Sequence, residues 1–518
     1  MLTIDACPFN HEPLAHQLEK WRRCREIPAW GHLWDPGVGK TYEIIAQAAW
    51  LYSRGLIDGL FVLAPNGVHR NWVTEEVPKH WPQALGIPCC VWYRSTQSTT
   101  RRQQEAMQQL VGVRGTLAVL SMSYDALLQE EVKINGKKVP GGRAWAKEFL
   151  TKRRVMIVAD ESSRIKTPDT KRTILALKAA AFAPYRRILN GTPVPNGPFD
   201  IYAQVKFLDA DFWVRKGISS FQGFKTQFGV WGKGYCWRPN KKTGQMEKQE
   251  FPELLGYKNL DVLQRWLEEI TDRIEKDDVL DLPPKVYQRM SFDLTPAQRK
   301  VYDALKDDCM AFLASGELVT TPLVLTKMLR LQQVCNGYVP VDDVAGDPIR
   351  DVGDENPRLD LLREIVEDLP HKAIIWTRFT RDVDLIMEML GKLEKKAVRY
   401  DGSVDDEGRK AAAEAFQRGD AQFFVSNPAA GGEGLTLLGD QSSDALSCQT
   451  VIYYSNGFNL QHRLQSEDRA HRIGQKRSVL YIDIVASDTI DQHVVDNLKD
   501  KFDVARQVTG DKLRNWLT

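Results

Sequence analysis

The sequence predicts an α/β protein built from two tandem parallel-sheet lobes, with a helical and aromatic insertion between them. Three observations predict it. Short apolar runs alternate with amphipathic helical patterns. Carboxylates, hydroxyls and arginines stand at or beyond the C-terminal ends of those runs, where open parallel sheets collect their ligands. The pattern occurs twice, before residue 211 and after residue 345, and a Gly-rich loop precedes only the first.

Size and charge bound the function. A chain of 518 residues exceeds one hydrophobic core. Its 70 Lys and Arg against 68 Asp and Glu leave a net charge of +2, so nucleic acid would have to be met by local patches. No apolar run approaches the roughly 20 residues that span a bilayer. The N-terminus lacks a charged region followed by an apolar one, so no signal peptide is expected. The eight cysteines include no pair spaced as in a zinc site, and they fit free thiols in a reduced cytoplasm.

The first lobe is organised around Trp34-Asp-Pro-Gly-Val-Gly-Lys-Thr41, which reads as a phosphate-binding loop. Gly37 and Gly39 let backbone N–H groups face a phosphate, Lys40 adds charge, and Thr41 offers Mg²⁺ a hydroxyl. Trp34 stands where the usual pattern has its first glycine. Apolar residues from Tyr42 to Leu51 predict a helix whose N-terminus points at the anion. Upstream, Gln17 has an amide able to read adenine, although alone it reads as a surface helix residue.

Strands are predicted at Gly59–Ala64, at Gly115–Ser121, at Val155–Ala159 and from Arg187, and a helix opens between Asn66 and Trp72. The third strand delivers Asp160, suited to Mg²⁺, and Glu161, suited to orient and deprotonate water. The fourth leads to Thr192. Between the second and third, residues 131–154 carry eight Lys or Arg against two acids, with a hairpin signal at Asn135-Gly136. That stretch reads equally as a solvated hairpin or as a contact to phosphate backbone.

Residues 211–260 mix Trp213, Trp231, Tyr235, Trp237 and Tyr257 with Gly and Lys, and Asn240–Gly244 is a second hairpin signal. Packing of a small insertion is the preferred reading, and stacking on nucleic acid is the other. Helical patterns cover 261–274, 296–315 and 326–335, with a break at Asp281–Lys285. The second lobe has strands from Lys372, Ala397, Gln422 and Thr450. It lacks a phosphate loop but has Gln465 to Gln475, in which Arg469 and Arg472 are three apart and would share a helix face. Two guanidiniums there could reach a triphosphate and stabilise charge in the transition state.

Taken together, these motifs resemble the Swi/Snf-type ATPases of helicase superfamily 2. The resemblance runs from about Glu12 to Val508. It rests on Gly37–Thr41, Asp160-Glu161, Leu189–Asn196, Ala430–Leu437 and Gln465–Gln475, and on the branch signature Arg273–Lys285 with Gln298 and Tyr302. It implies two RecA-like lobes: residues 1–210, a helical and aromatic connector at 211–345, and 346–485, with brace helices at 486–518 packing on the first lobe. It implies an ATP- and Mg²⁺-dependent translocase that grips double-stranded DNA by its phosphate backbone, without a membrane and as a monomer.

By matched position, Gln17 contacts adenine, Gly37, Gly39 and Lys40 the phosphates, Thr41 and Asp160 Mg²⁺, and Glu161 the water. Arg469 and Arg472 are the fingers, Gly434 lies near the ribose, and Thr192, Ser163 and Gln465 couple nucleotide to DNA. Two departures stand out. Ser163 stands where the family usually has histidine, which bears on the coupling of ATP to DNA, and Pro428 falls where many members carry threonine; the string Asp160-Glu-Ser162 also occurs in the branch that reanneals DNA or remodels forks. A strand-separating helicase and a nucleotide-gated DNA-binding module with little turnover are the alternatives. A near-minimal motor without appendages points to a viral or prokaryotic source and a cytoplasmic location.

Overall fold

The computed structural model describes residues 9–66, 68–93, 101–134, 137–239, 246–315, 321–340, 349–431 and 435–511. By compactness the chain divides into two units. The first takes residues 1–228, 259–281 and 504–512, and the second takes 229–258, 282–503 and 513–518.

The first unit holds a seven-stranded parallel sheet. Its spatial order is Thr271–Ile274, Ala29–Trp34, Tyr185–Leu189, Val155–Asp160, Gly59–Ala64, Ala118–Ser123, Cys89–Tyr93. Both faces are covered, so the central strands read as unbroken apolar runs. The helix Lys40–Ser53 packs Ile44, Ile45, Ala48 and Leu51 against Val62, Val158 and Leu189. Burying such side chains contributes about 1.5–3 kcal/mol each.

The second unit holds six parallel strands in the order Lys285–Phe292, Val479–Ala486, Cys448–Tyr453, Lys372–Trp376, Phe423–Ser426, Ala397–Tyr400. One face packs Ile375, Val425, Ile452 and Ile484 beneath two helices, Pro357–Glu367 and Thr380–Lys392. The other packs Ile374, Phe424, Val451 and Tyr481. The two units thus hold the parallel-sheet α/β lobes that the alternation of runs predicts, the RecA-like pair that the resemblance implies.

Three expectations change. The helical pattern at 261–274 splits into a helix, Leu260–Leu267, and the edge strand Thr271–Ile274. Residues 285–292, expected in the connector, form the edge strand of the second sheet. Both are edge strands rich in polar residues, Thr271, Asp272 and Arg273 in one and Lys285, Gln288, Arg289 and Ser291 in the other, so neither shows the apolar run of a central strand. The helix expected after Asn66 instead has a π-turn at Trp72–Glu76, where the Val77 N–H reaches the Trp72 carbonyl.

Among the described residues three antiparallel ribbons stand outside the sheets: Tyr338–Pro340 with Ile349–Asp351 and, at the two expected hairpins, Glu131–Ile134 with Lys137–Pro140 and Gly229–Pro239 with Met246–Tyr257. The turns of those two hairpins, at Asn135-Gly136 and Asn240–Gly244, lie outside the described residues, as does Gly434. Among the described residues no helix is long and apolar enough to cross a membrane.

Candidate active site

Strand Ala29–Trp34 feeds the loop directly. Gly37 and Gly39 take φ of +85° and +88°, left-handed values natural to glycine. A Cβ on Gly39 would lie 2.1 Å from Gln17 Nε2, so a side chain there is excluded twice. Helix Lys40–Ser53 starts at the next residue and opens its unpaired N–H groups on the loop. Lys40 Nζ donates to the carbonyls of Trp34 (2.8 Å) and Asp35 (3.0 Å). The Trp34 side chain turns away into the core, where its indole donates to Asp272 Oδ1 at 2.8 Å. The departure at the first glycine is therefore absorbed by the core.

The loop is held from the helix Ala15–Cys24. Gln17, read alone as a surface residue, is only 3% exposed. Its Oε1 accepts from the Leu14 N–H (2.9 Å) and its Nε2 donates to the Gly39 carbonyl (3.2 Å). His16 Nε2 lies 3.0 Å from the Val38 carbonyl. Adjacent residues thus fasten adjacent loop carbonyls. Nothing in the sequence marks His16 except its place beside Gln17.

Strand Val155–Asp160 ends on the first carboxylate. Asp160 Oδ2 accepts from Trp72 Nε1 (2.9 Å) and Oδ1 from the Glu161 N–H (3.0 Å). The Tyr124 hydroxyl donates to the Asp160 carbonyl at 2.7 Å. Burial raises the Asp160 pKa, and the Trp72 bond and the Lys40 charge offset this only in part. Burial lowers the Lys40 pKa against the opposing pull of Glu161 and Asp160. Lysine and both carboxylates therefore share one low-dielectric field. Glu161 has φ +51°, a left-handed value costing a residue of this size about 1–3 kcal/mol. The π-turn is what presents Trp72, a residue the sequence reading assigned no role.

The turn after strand Tyr185–Leu189 is tied to the same place. Ser162 Oγ donates to Gln204 Oε1 (2.6 Å) and accepts from Asn190 Nδ2 (3.2 Å). Asn190 Oδ1 accepts the Thr192 N–H at 2.9 Å. Gln204 Nε2 donates to the carbonyls of Pro193 (2.6 Å) and Asp200 (2.8 Å). Ser162, Asn190 and Gln204 are fully buried. The hydrogen bonds linking the Asp160-Glu161 turn to Thr192 thus pass through Ser162. Ser163 is buried beside it.

In the second unit, Arg469 and Arg472 do not share a helix face. The helix Leu460–Glu467 stops before them, and the chain tightens into i→i+3 bonds, Arg469 N–H to Ser466 and Ala470 N–H to Glu467, each 3.3 Å. The two guanidiniums still converge, donating to the Leu435 carbonyl at 2.7 and 2.9 Å. Gln465 is buried, and its Oε1 has no partner among the described residues. Glu467 is fully buried between Arg463 (3.0 Å), Lys285 (3.1 Å) and Tyr287 (2.8 Å).

The first unit's residues fit a magnesium nucleotide. A loop without side chains at Gly37 and Gly39, a lysine facing two carboxylates, and oxygen donors on Thr41 and Asp160 suit phosphates and a hard cation.

The SNF2-related domain family matches residues 33–338, and the helicase conserved C-terminal domain family matches 357–474. The chain belongs to the SNF2 family. SNF2 relatives include two from Saccharomyces cerevisiae. Nuclear protein STH1/NPS1 is 26% identical over 92% of this chain and 33% of its own length, and transcription regulatory protein SNF2 is 24% identical over 92% and 26%. The mouse chromodomain-helicase-DNA-binding protein 1-like is 24% identical over 92% of this chain and 47% of its own. The chain thus spans from a quarter to about half of these relatives. A solved structure, the Sulfolobus solfataricus SWI2/SNF2 ATPase core in complex with dsDNA, aligns over 99% of this chain and 100% of its own at 20% identity, with a TM-score of 0.38.

The relatives correct one expectation. A cytoplasmic location does not stand, since SNF2-family relatives include a protein named as nuclear and another named for transcription. The curated relatives named are eukaryotic and lend no support to a viral or prokaryotic source.

Proposed function

We propose that this SNF2-family chain hydrolyses ATP and uses the cycle to move along double-stranded DNA, which it holds mainly by the phosphate backbone. The observation that supports this most directly is the placement of Lys40 opposite Asp160 and Glu161 beside a glycine loop. When bound, Mg²⁺ neutralises charge on the β- and γ-phosphates. Gln17, Gly37, Gly39 and Lys40 bind the nucleotide, Thr41 and Asp160 hold the metal, and Glu161 orients the attacking water and takes its proton. Arg469 and Arg472 stabilise transition-state charge. Thr192 carries the nucleotide state outward through Asn190 and Ser162, with Ser163 and Gln465 completing the coupling.

Steady-state hydrolysis without DNA, with single strands and with duplexes of increasing length tests this, with Glu161→Gln as control. Stimulation that rises with duplex length and vanishes in the variant is expected. Stimulation by single strands alone would defeat the duplex reading.

One observation favours a second reading, strand separation. Among the described residues the ribbon Gly229–Pro239 with Met246–Tyr257 pairs with no other strand, and it exposes Trp231, Tyr235, Phe251 and Leu255. Phe251 lies over Gly234, and Leu255 over Gly232. Such a ribbon could insert at a fork. Unwinding of a forked duplex by the intact chain, lost when the ribbon is replaced by a short Gly-Ser linker, is the outcome this reading requires.

A further inference from the structure

We infer that Asp511, at the end of the C-terminal helix, is a positioning residue for the nucleotide loop, acting through Arg273. This rests on the reading of residues 35–41 as that loop.

Arg273 is the hub. Its Nε and Nη2 donate to Asp511 Oδ1 and Oδ2, both at 2.8 Å, a bidentate fork. Its Nη2 also reaches Asp35 Oδ1 at 2.6 Å, and its Nη1 donates to the Leu33 carbonyl at 2.7 Å. The other Asp35 oxygen accepts from the Lys276 N–H at 2.9 Å. Asp35 is the first residue of the loop, and its own carbonyl is one of the two that hold Lys40 Nζ. Three links therefore run from Asp511 to the phosphate lysine. Burial would raise the Asp35 carboxyl, but the Arg273 charge and the Lys276 N–H bring it below the usual carboxylate range.

The end of the helix is shaped for this contact. Gly510 turns at φ +78°, and the N–H groups of Gly510 and Asp511 both close on the Arg506 carbonyl (2.8 and 3.0 Å). A Cβ on Gly510 would meet Gln264 Nε2 at 2.3 Å. One turn earlier, Arg506 Nη2 reaches Glu275 Oε2 at 3.3 Å, a second fastening to the segment that carries Arg273. Arg273 itself has two acidic partners for one charge. Without Asp511 the guanidinium can move with Asp35, and the loop loses its fixed origin.

The test is equilibrium titration of a fluorescent ADP analogue, with ATP KM and kcat read separately and thermal melting as a folding control. The variants are Asp511→Asn, Gly510→Ala, Asp35→Asn, the Asp35→Asn/Asp511→Asn double, and the surface control Asp261→Asn. Asp511→Asn and Gly510→Ala should each weaken ADP binding and raise KM about tenfold, the scale of a typical coupling between sites, with kcat changed less than twofold. The double variant should be no worse than Asp35→Asn alone, because both lie on one path. Unchanged ADP affinity in Asp511→Asn, whatever its melting temperature, overturns the inference, and so does independent multiplication of the two single effects. Wild-type chain that binds ADP but shows no DNA-stimulated hydrolysis would sink the proposed function and leave this inference standing.

Discussion

Trp72 and Asp160 are joined by a hydrogen bond from indole N–H to carboxylate, 2.9 Å long, across 88 residues of sequence. It fixes the rotamer of the carboxylate assigned to Mg²⁺ and keeps it acceptor-ready although buried. A hydrogen bond to a charged group contributes about 1.5–3 kcal/mol. Trp72→Phe should therefore raise the Mg²⁺ concentration for half-maximal hydrolysis about tenfold while the chain stays folded. A Mg²⁺ titration of ATP turnover at saturating nucleotide reads this out. An unchanged half-saturation would remove Trp72 from the site.

Gly39 is constrained by its backbone and by the Gln17 amide. Gly39→Ala should reduce nucleotide affinity by on the order of 100-fold, since a positive φ and a steric clash add. In a Gln17→Ala background, whose own affinity is the reference, the clash is absent and the φ remains, so Gly39→Ala should still cost affinity there, but less than in the wild-type background. No further loss in that background would mean that the backbone at this position is not under constraint.

Ser162 ties the Asp160-Glu161 turn to Gln204 and Asn190, which also bond directly to each other at 3.3 Å. Ser162→Ala removes the turn's two bonds and leaves the Asn190–Gln204 bond in place, a loss of about 0.5–1.5 kcal/mol for each bond. DNA-stimulated turnover should fall several-fold more than the DNA-independent rate, because the path to Thr192 is cut. Measuring both rates, with a melting curve for stability, decides whether the link couples or merely braces.

Glu43 carries a pH signature. It is fully buried, accepts from Gln47 Nε2 at 3.0 Å, and its second oxygen has no partner among the described residues. Burial raises its pKa well above the ordinary 4.5, and the Gln47 bond opposes this weakly. A raised folded-state pKa contributes stability that is complete below the unfolded value and is lost as pH rises through the folded one. Glu43→Gln, which mimics the protonated form, should melt higher than wild type at pH 8, with the gap closing towards pH 5. Parallel melting curves across that range would contradict the burial argument.

Arg463 is the centre of a buried cluster with Glu467 (3.0 Å), Asp483 (3.0 Å) and Asn456 (2.8 Å). Arg463→Ala takes the cation from the buried Asp483, which keeps only neutral Asn456 among the partners named, while Glu467 retains Lys285 and Tyr287; the loss is about 3–5 kcal/mol. Hydrogen exchange should accelerate in strand Val479–Ala486 and stay unchanged in Val155–Asp160. Acceleration in both strands would contradict a local effect.

Central strands and the glycine loop were legible in the sequence because each has a chemical reason local to itself. Val155–Asp160 is apolar since both faces are covered, and Gly39 is glycine since nothing else fits. What escaped depends on distant partners. Thr271–Ile274 becomes a strand only by pairing with Ala29–Trp34. Trp72 reaches Asp160 only because a π-turn rotates it, and Ser162 becomes a link only once Asn190 and Gln204 are beside it. Arg469 and Arg472 were expected to converge on a helix face; they converge on the Leu435 carbonyl from a turn instead.

The place of Ala29–Trp34 in its sheet has a consequence for biosynthesis. One neighbour, Tyr185–Leu189, is made early, but the other arrives 240 residues after His32, judged by the His32–Asp272 contact. At about 5–20 residues per second, a ribosome needs roughly 10–50 s to supply it. Through that interval the strand feeding the phosphate loop has an open edge, a hazard that nascent chains meet with chaperones. Asp511 comes 238 residues later still. The nucleotide loop would thus be among the last parts of its own lobe to mature, long after the carboxylates it faces have been translated.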